Sequence, residues 1–181
     1  MAKNYPGGFW GNLFSEKPRK AVKTFIKCYS RPSLTWDDLS FLRSLTDLPI
    51  ILKGILDPRD ARKAIQHRMD GIIVSNHGGR QVDGAVSSIE ALPEIIKEVN
   101  SKVPVLFDSG IRSGSDIFKA LALGADAVLL GRPYVYALSV AGEQGVQELI
   151  QNYRADFELT MGLSGCGSIH EISRDQIKRS T

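Results

Sequence analysis

Residues 103–133 read VPVLFDSGIRSGSDIFKALALGADAVLLGRP and carry the strongest fold signal in the chain. An apolar run opens the segment, a stretch with apolar residues at helical spacing follows, and a second apolar run precedes its end. Strands that are apolar throughout and alternate with helices of about 10–15 residues are typical of a parallel sheet. Both runs are followed by polar turns that contain glycine, DSG and GRP. The segment therefore predicts a parallel βαβ unit with polar groups after each strand.

An earlier copy of this pattern lies between residues 49 and 76. The offset between the copies is 55 residues, then 56 after one inserted residue, which indicates a βαβα unit used twice. Four such strands suit a (β/α) barrel of the TIM type, which has eight strands and typically about 250 residues. We therefore predict the α/β class, with four βα units that make half of a barrel. Matched pairs include Pro49 with Pro104, Gly54 with Gly110, Asp60 with Asp116 and Asp70 with Asp126.

Composition argues against several classes of protein. The 181 residues are 43% hydrophobic and 24% charged, which fits one globular core. The net charge is +3, and the one basic cluster, over residues 17–27, is interpreted as a solvated face, so no nucleic-acid partner is predicted. No apolar run reaches about 18 residues and no signal peptide is recognised, so we expect no membrane span and a cytoplasmic location. Cys28 and Cys166 match no metal-ligand spacing, and no metal site is predicted.

Two regions differ in character along the chain. Residues 1–32 are predicted to form an irregular N-terminal segment, because NYPGGFWGN has the glycine and proline content of a loop. Residues 33–181 carry the regular pattern and are assigned to the half-barrel. The first helix of this part is predicted to start near Thr35, with Asp38 three residues further on.

The turns after the last two predicted strands have the composition of a phosphate site. DSGIRSGSD offers Gly110 and Gly114 for close approach of the backbone, Arg112 for bidentate contact, and the amides of a helix that starts after Ser113. LGRP offers Gly131 and Arg132 at the start of another helix. Phosphate binding after the last two strands recurs in barrels of this type. The alternative is that both arginines are ordinary surface residues beside turns.

Charged residues at the other strand ends indicate acid–base chemistry. In SNHGGRQVDG, residues 75–84, His77 suits proton transfer near neutral pH, and Arg80 can hold a carboxylate by two parallel hydrogen bonds. Lys53 ends an apolar strand and can stabilise negative charge on a ligand, or alternatively form a structural ion pair. Asp108 can accept hydrogen bonds from ligand hydroxyls, or alternatively cap a helix. Because the ends of parallel strands meet on one face, these groups are predicted to share one site.

Three motifs together resemble the FMN-dependent 2-hydroxy acid oxidases and dehydrogenases, which include glycolate oxidase, lactate oxidase, lactate monooxygenase and mandelate dehydrogenase. The motifs are SNHGGRQVDG, DSGIRSGSDIFKALALGADAVLLGRP and ELTMGLSGCGSIHEI, and the resemblance covers residues 30–175. SRPSLTWDDLSFLRSLTDLPIILKGI is most similar to the lactate monooxygenase and lactate oxidase branch. Many members have glycine where this chain has Ser109, although serine also occurs there in the lactate branch.

The resemblance implies FMN as the cofactor and gives each site residue a role. His77 is implied to be the catalytic base, and Arg80 to hold the substrate carboxylate. Lys53 is implied to face the pyrimidine end of the flavin, with Ser75 hydrogen-bonded to it. The ribityl chain is implied to contact Asp108. The phosphate is implied to lie against the turn residues Ser109, Gly110, Ile111, Arg112, Gly131 and Arg132.

The implied function is oxidation of a small, lactate-like L-2-hydroxy acid to the 2-oxo acid or its decarboxylated product. The first four strands of the family barrel have no counterpart in the sequence, so the chain corresponds to the C-terminal half. We therefore expect a homo-oligomer or a partner half-barrel. One alternative is a truncated, non-catalytic half-barrel that binds FMN weakly or only pairs with another half. Another is a barrel that binds a different phosphorylated ligand without flavin.

Overall fold

The computed structural model describes residues 6–29 and 31–178. The chain divides into two compact units, Met1–Leu42 and Arg43–Thr181, and each is described by itself. The sheet and every predicted site residue belong to the second unit. The assignment of residues 33–181 to one half-barrel stays a prediction, because the division falls between Leu42 and Arg43.

The first unit is helical over most of its described part. Helix α1 spans Phe9–Leu13 and α2 spans Lys17–Tyr29. The prediction of an irregular segment over residues 1–32 is therefore wrong for these residues. All of its glycines and one of its three prolines precede α2, whereas α2, with Pro18 in its first turn, has helix-forming residues at amphipathic spacing. An exposed ion pair of 3.2 Å links Lys20 to Glu16 one turn earlier, and the basic cluster of α2 is exposed as predicted.

Helix α3 spans Asp38–Ser44 and begins close to the predicted position. The carboxylate of Asp38 accepts hydrogen bonds from the amide and the hydroxyl of Thr35, at 2.8 and 3.0 Å. These bonds occupy backbone and side-chain donors that precede the helix, and they lower the pKa of Asp38. The spacing of Thr35 and Asp38 was therefore a valid signal for a helix start.

The second unit contains a four-stranded parallel sheet in the order β1-β2-β3-β4, which confirms the predicted fold class. Each strand is followed by a helix, as the βαβ pattern predicted. The strands are β1 (Ile51–Ile55), β2 (Gly71–Val74), β3 (Val105–Phe107) and β4 (Ala127–Val128). The helices are α4 (Pro58–Gln66), α5 (Ser88–Val99), α6 (Gly114–Ala122) and α7 (Arg132–Leu163).

Helices α4, α5 and α6 begin at side-chain caps, whereas α7 begins at Gly131 without one. Asp57 caps α4 by accepting from the amide of Arg59 at 2.8 Å, with proline at the first helical position as predicted. Helix α7 is kinked at Gly142, where φ is 59°, whereas Gly145, the other predicted break, lies inside the helix. None of the helices in the described part of the chain is long and apolar enough to cross a membrane.

The two faces of the sheet differ in burial. Side chains alternate along a strand, and residues paired across parallel strands point to the same face. The face against α4, α5 and α6 is closely packed, and its central residues Ile72, Val74, Val105 and Phe107 are at most 2% exposed. The opposite face carries one paired row that is only partly buried or exposed, made of Lys53, Ile73, Leu106 and Ala127. In a closed barrel this second face would be the packed interior.

The predicted internal repeat recurs in the hydrogen bonds of the sheet. In the first copy, Asp70 Oδ2 accepts from the amide of Ile50 at 2.7 Å. In the second copy, Asp126 Oδ2 accepts from the amide of Val105, also at 2.7 Å. Each aspartate thus accepts a hydrogen bond from an amide that lies just before, or at the start of, the preceding strand. The two copies therefore share the same side-chain hydrogen bond between neighbouring strands.

Candidate functional site

A cavity of about 530 Å³ lies at the carboxyl ends of the four strands. It brings together residues that are far apart in the sequence, as the strand-end argument predicted. Ten of the eleven predicted site residues line it: Lys53, His77, Arg80, Asp108, Ser109, Gly110, Ile111, Arg112, Gly131 and Arg132. The eleventh, Ser75, is 2% exposed and is hydrogen-bonded to Lys53.

Lys53, Ser75 and Asp108 form a compact polar cluster at one side of the cavity. Lys53 Nζ lies 2.8 Å from Asp108 Oδ2 and donates a hydrogen bond of 2.7 Å to Ser75 Oγ. Burial favours a higher pKa for Asp108, but hydrogen bonds from Lys53, Ser75 and Ser109 and the charge of Lys53 hold its pKa below 3.8. The ion pair considered as the alternative for Lys53 is therefore present, and it holds a cation at the cavity. The helix-cap alternative for Asp108 is wrong, since Ser113 caps α6.

The loop after β2 has an unusual backbone. His77, Gly78 and Gly79 have φ of 56°, 67° and 72°, so three consecutive residues lie in the left-handed region. The amide of His77 donates to Ser75 Oγ at 3.0 Å, and the amide of Gly79 donates to Asn76 Oδ1 at 3.1 Å. A non-glycine residue in this region is strained and is held there by its surroundings. The loop leaves His77 exposed at the cavity.

Arg132 ties the last strand end to this loop. Its guanidinium donates a hydrogen bond to the carbonyl oxygen of Gly78. A Cβ atom added to Gly78 would lie 2.6 Å from Arg132 Nη2, so another residue type here would displace the guanidinium, and the φ of 67° also favours glycine. Since a guanidinium has five N–H donors, Arg132 keeps donors for an anion while it makes this bond.

The start of α6 differs from the prediction. The amides of Gly114 and Ser115 were expected to face a phosphate, but both donate to Asp156 Oδ2, at 2.5 and 3.3 Å. Asp156 lies in α7, and no local signal marks it as a partner of residues so far away in sequence. The prediction that these helix-start amides bind phosphate is therefore wrong. The glycine-rich turn before them, at Gly110 and Ile111, still lines the cavity.

Two polar residues of the site were missed by the sequence reasoning. Ser88 is 1% exposed, and its Oγ accepts from the amide of Asn76 at 2.8 Å. Asn76 in turn holds the amide of Gly79 through its side chain. Ser88 follows Ser87, the cap of α5, so its residue type indicates only a helix start. Asn76 in the motif was the available signal, since asparagine often accepts from a nearby backbone amide in a turn.

The chain belongs to the FMN-dependent dehydrogenase family, whose sequence profile matches residues 3–179. It is 46% identical over 180 residues to a peroxisomal (S)-2-hydroxyacid oxidase of Arabidopsis thaliana, covering 97% of this chain and 48% of that protein. It is 50% identical over 149 residues to an L-lactate oxidase of a Nostoc species, covering 82% of this chain and 41% of that protein. The cytoplasmic location stays a prediction beside a relative that is named peroxisomal.

The fold agrees with solved structures of the same family. A mandelate oxidase mutant with the monooxide FMN adduct superimposes with a TM-score of 0.75 at 50% identity, over 78% of this chain and 45% of that one. The chain thus spans about half the length of the proteins it matches. The expectation of a half-barrel is confirmed in this sense.

FMN is the cofactor of the family, and the residues of the cavity fit it. The volume lies within the range of about 300–1,000 Å³ that is usual for small-molecule sites. Four cationic side chains line the same space as the turn at Gly110 and Ile111: Lys53, Arg80, Arg112 and Arg132. Arginines and glycine-rich backbone are a suitable donor set for a phosphate dianion.

Proposed function

We propose that the chain forms the half of a (β/α)₈ barrel that binds FMN and oxidises a small, lactate-like L-2-hydroxy acid to the 2-oxo acid or its decarboxylated product. One observation carries this proposal. A single cavity collects a histidine, an arginine three residues further on, and two basic, glycine-containing turns from separate strand ends. The names of the relatives, a 2-hydroxyacid oxidase and an L-lactate oxidase, support the same substrate class.

Three side chains act on the substrate in this proposal. Arg80 holds the substrate carboxylate by two parallel hydrogen bonds and so orients the α-carbon towards His77. A ring nitrogen of His77 accepts a proton from the substrate. Lys53, held by Asp108 and Ser75, places a positive charge where negative charge develops. When bound, FMN takes up two electrons from the substrate and passes them to oxygen or another acceptor.

The two turns bind the cofactor in the same proposal. Arg112 and the backbone at Ser109, Gly110 and Ile111 hold the phosphate from one side, and Gly131 and Arg132 hold it from the other. Asp108 accepts from the ribityl hydroxyls, and its carboxylate suits this task because its lowered pKa keeps it ionised near neutral pH. Ser75, beside Lys53, would hydrogen-bond the flavin.

An absorbance titration tests the proposal directly. FMN is added to the purified chain, and the visible spectrum is recorded without oxygen before and after L-lactate, with glycolate as a second substrate. Saturable binding followed by bleaching is expected. Failure of the chain to bind FMN would overturn the proposal. Binding without bleaching by either acid would instead favour the second candidate described below.

We also propose that the chain works with a second half-barrel, either another copy of itself or a separate half. Among the described residues, β1 pairs only with β2 and β4 pairs only with β3, so both sheet edges are open. The inner face also remains partly exposed. Open edges and an uncovered apolar face favour association, and closure into eight strands removes both.

The second candidate is a non-catalytic half-barrel that binds FMN weakly or only pairs with another half. The observation in its favour is that the cavity is built from four strand ends, whereas the solved relative is more than twice as long as the matched segment. In this case the phosphate turns keep their affinity for FMN. Substrate is not oxidised, because the other wall of the pocket is missing.

A further inference from the structure

Ser109 links two loops of the site through its side chain. The amide of Gly78 donates to Ser109 Oγ at 2.9 Å, and Ser109 Oγ donates to Asp108 Oδ1 at 2.7 Å. The preceding amide, that of His77, donates to Ser75 Oγ, which also hydrogen-bonds Asp108. Two consecutive amides of the loop after β2 therefore donate to two serine hydroxyls, and both hydroxyls are hydrogen-bonded to the carboxylate of Asp108.

The backbone at Ser109 shows that its side chain is not there for conformational reasons. Its φ is 78°, in the left-handed region that glycine adopts with less strain than any other residue. Serine at this position is therefore strained, and what it adds over glycine is a hydroxyl that makes hydrogen bonds. The hydroxyl is also well placed, because it is partly buried and both of its partners line the same cavity.

We propose that Ser109 is a positioning residue: its hydroxyl fixes the histidine loop, residues 75–80, against Asp108 and thereby sets His77 relative to Lys53. Three residues of the loop have positive φ, and among the described residues the Gly78 amide is held by Ser109 alone, whereas His77 and Gly79 are held by Ser75 and Asn76 and the Gly78 carbonyl by Arg132. The positioning role rests on the proposed function of His77. The two hydrogen bonds through Ser109 do not depend on that function.

Three substitutions at position 109 separate the hydroxyl from the backbone strain. Ser109→Gly removes both, and Ser109→Ala removes the hydroxyl alone. Ser109→Thr keeps the hydroxyl but adds strain through its β-branch. Ser101→Gly is the matched control, because Ser101 is an exposed serine with φ of 58° outside the cavity. Amide exchange by NMR on the full chain, together with the melting temperature, is measured for each.

The amide exchange rates are expected to depend on whether the hydroxyl is present, and not on the melting temperature of the variant. The amides of Gly78 and His77 should both exchange about five- to tenfold faster in Ser109→Gly and Ser109→Ala, as for the loss of about one hydrogen bond. Ser109→Thr and Ser101→Gly should exchange at the native rate. Among the residues compared at position 109, glycine should give the highest melting temperature, because it relieves the strain of the positive φ; a purely structural role of the hydroxyl does not predict this. Ser101→Gly relieves the same kind of strain and should also melt higher than the native chain. Should Ser109→Thr fail to fold, the glycine variants alone decide.

Two results would overturn the inference. Unchanged exchange at Gly78 in Ser109→Gly means that the bond does not hold the loop. Faster exchange at Gly78 with native exchange at His77 means a local bond without positioning of the histidine. A native chain that fails to bind FMN overturns the proposed function instead, and it leaves the exchange results to be interpreted on their own.

Discussion

At the scale of single residues, the histidine loop combines chemistry with strain. His77 has a positive φ although it is not glycine, and it lies between two glycines and a buried serine that fix it. Residues kept in such conformations cluster at functional sites, so the observed backbone supports the role inferred from the residue type. The sequence indicated the residue types, whereas the left-handed φ of His77 was seen only in the structure.

Replacing His77 by alanine separates binding from catalysis. His77→Ala is expected to lower the rate of FMN reduction by L-lactate by at least about 10²-fold, as for loss of a general base, and to leave the Kd for FMN nearly unchanged. Anaerobic stopped-flow absorbance measures the rate. His170→Ala, in an exposed 3-10 helix outside the cavity, is the control and should behave as native. Equal rates in the two variants would rule out the base assignment.

The ionisation of Asp108 makes the folding stability of the chain depend on pH in the acid range. Its pKa is lowered in the folded chain, so its interactions with Lys53, Ser75 and Ser109 stabilise the fold above its unfolded pKa of about 3.8. This contribution is lost as the pH falls through the folded value. The stability difference between the native chain and Asp108→Asn is therefore expected to be constant from about pH 7 to pH 5 and to shrink below about pH 4.

Urea titrations of both proteins at each pH measure this difference. Comparing two proteins removes the contribution of other carboxylates with lowered pKa, such as Asp57, Asp70 and Glu98. A difference that grows on acidification would contradict the assigned direction. Lys53→Met should abolish most of the pH dependence, because it removes the main partner of Asp108.

At the scale of elements, the start of α6 is fastened to α7. Asp156 accepts from the first amides of α6, and a Cβ on Gly114 would lie 2.1 Å from the amide nitrogen of Phe157. The two helices therefore touch through backbone at this point. Gly114 was interpreted in the sequence as a glycine for phosphate, but it serves helix packing. The sequence could not show this, because glycine is required both where the backbone approaches a phosphate and where it approaches another helix.

Alanine substitutions of two helical glycines test this packing. Gly114→Ala is expected to lower the free energy of unfolding by about 1–3 kcal/mol, as for overpacking of a close contact. Gly162→Ala should raise it by up to about 1 kcal/mol, because nothing lies within 4 Å of the added Cβ and alanine favours a helix. Chemical denaturation measures both. Stability of Gly114→Ala at or above the native level would mean that α6 and α7 are less closely packed.

The repeated βαβα unit was the most reliable prediction at the element scale. The offset of 55 to 56 residues located Asp70 and Asp126 as equivalents, and both make the same 2.7 Å bond to a strand amide. Helices α4 and α6 likewise both begin at a side-chain cap. Helix α2 was missed because glycine and proline before it were taken as typical of the whole N-terminal segment. Local composition therefore led to a wrong prediction for this helix.

At the scale of the whole molecule, four strands leave a barrel incomplete. We expect the purified chain to associate, with a mass near twice its 19.9 kDa in analytical ultracentrifugation if two copies close the barrel. Ile51→Lys should prevent this, since Ile51 is 42% exposed on the outer strand β1. Leu163→Lys, an exposed apolar residue at the end of α7, is the control. A native chain that stays monomeric at high concentration would favour a separate partner half.

The sequence by itself determined the class of fold, the repeat and the cofactor family, and it predicted eleven site residues, of which ten line one cavity. These features depend on periodicity and on residue types at strand ends, and both are local properties of a parallel sheet. Only the tertiary structure decided which amides, charges and glycines meet. It paired Lys53 with Asp108, gave the α6 amides to Asp156, and joined Gly78 to Ser109 and Arg132. Such contacts join residues tens of positions apart, and no spacing in the sequence encodes them.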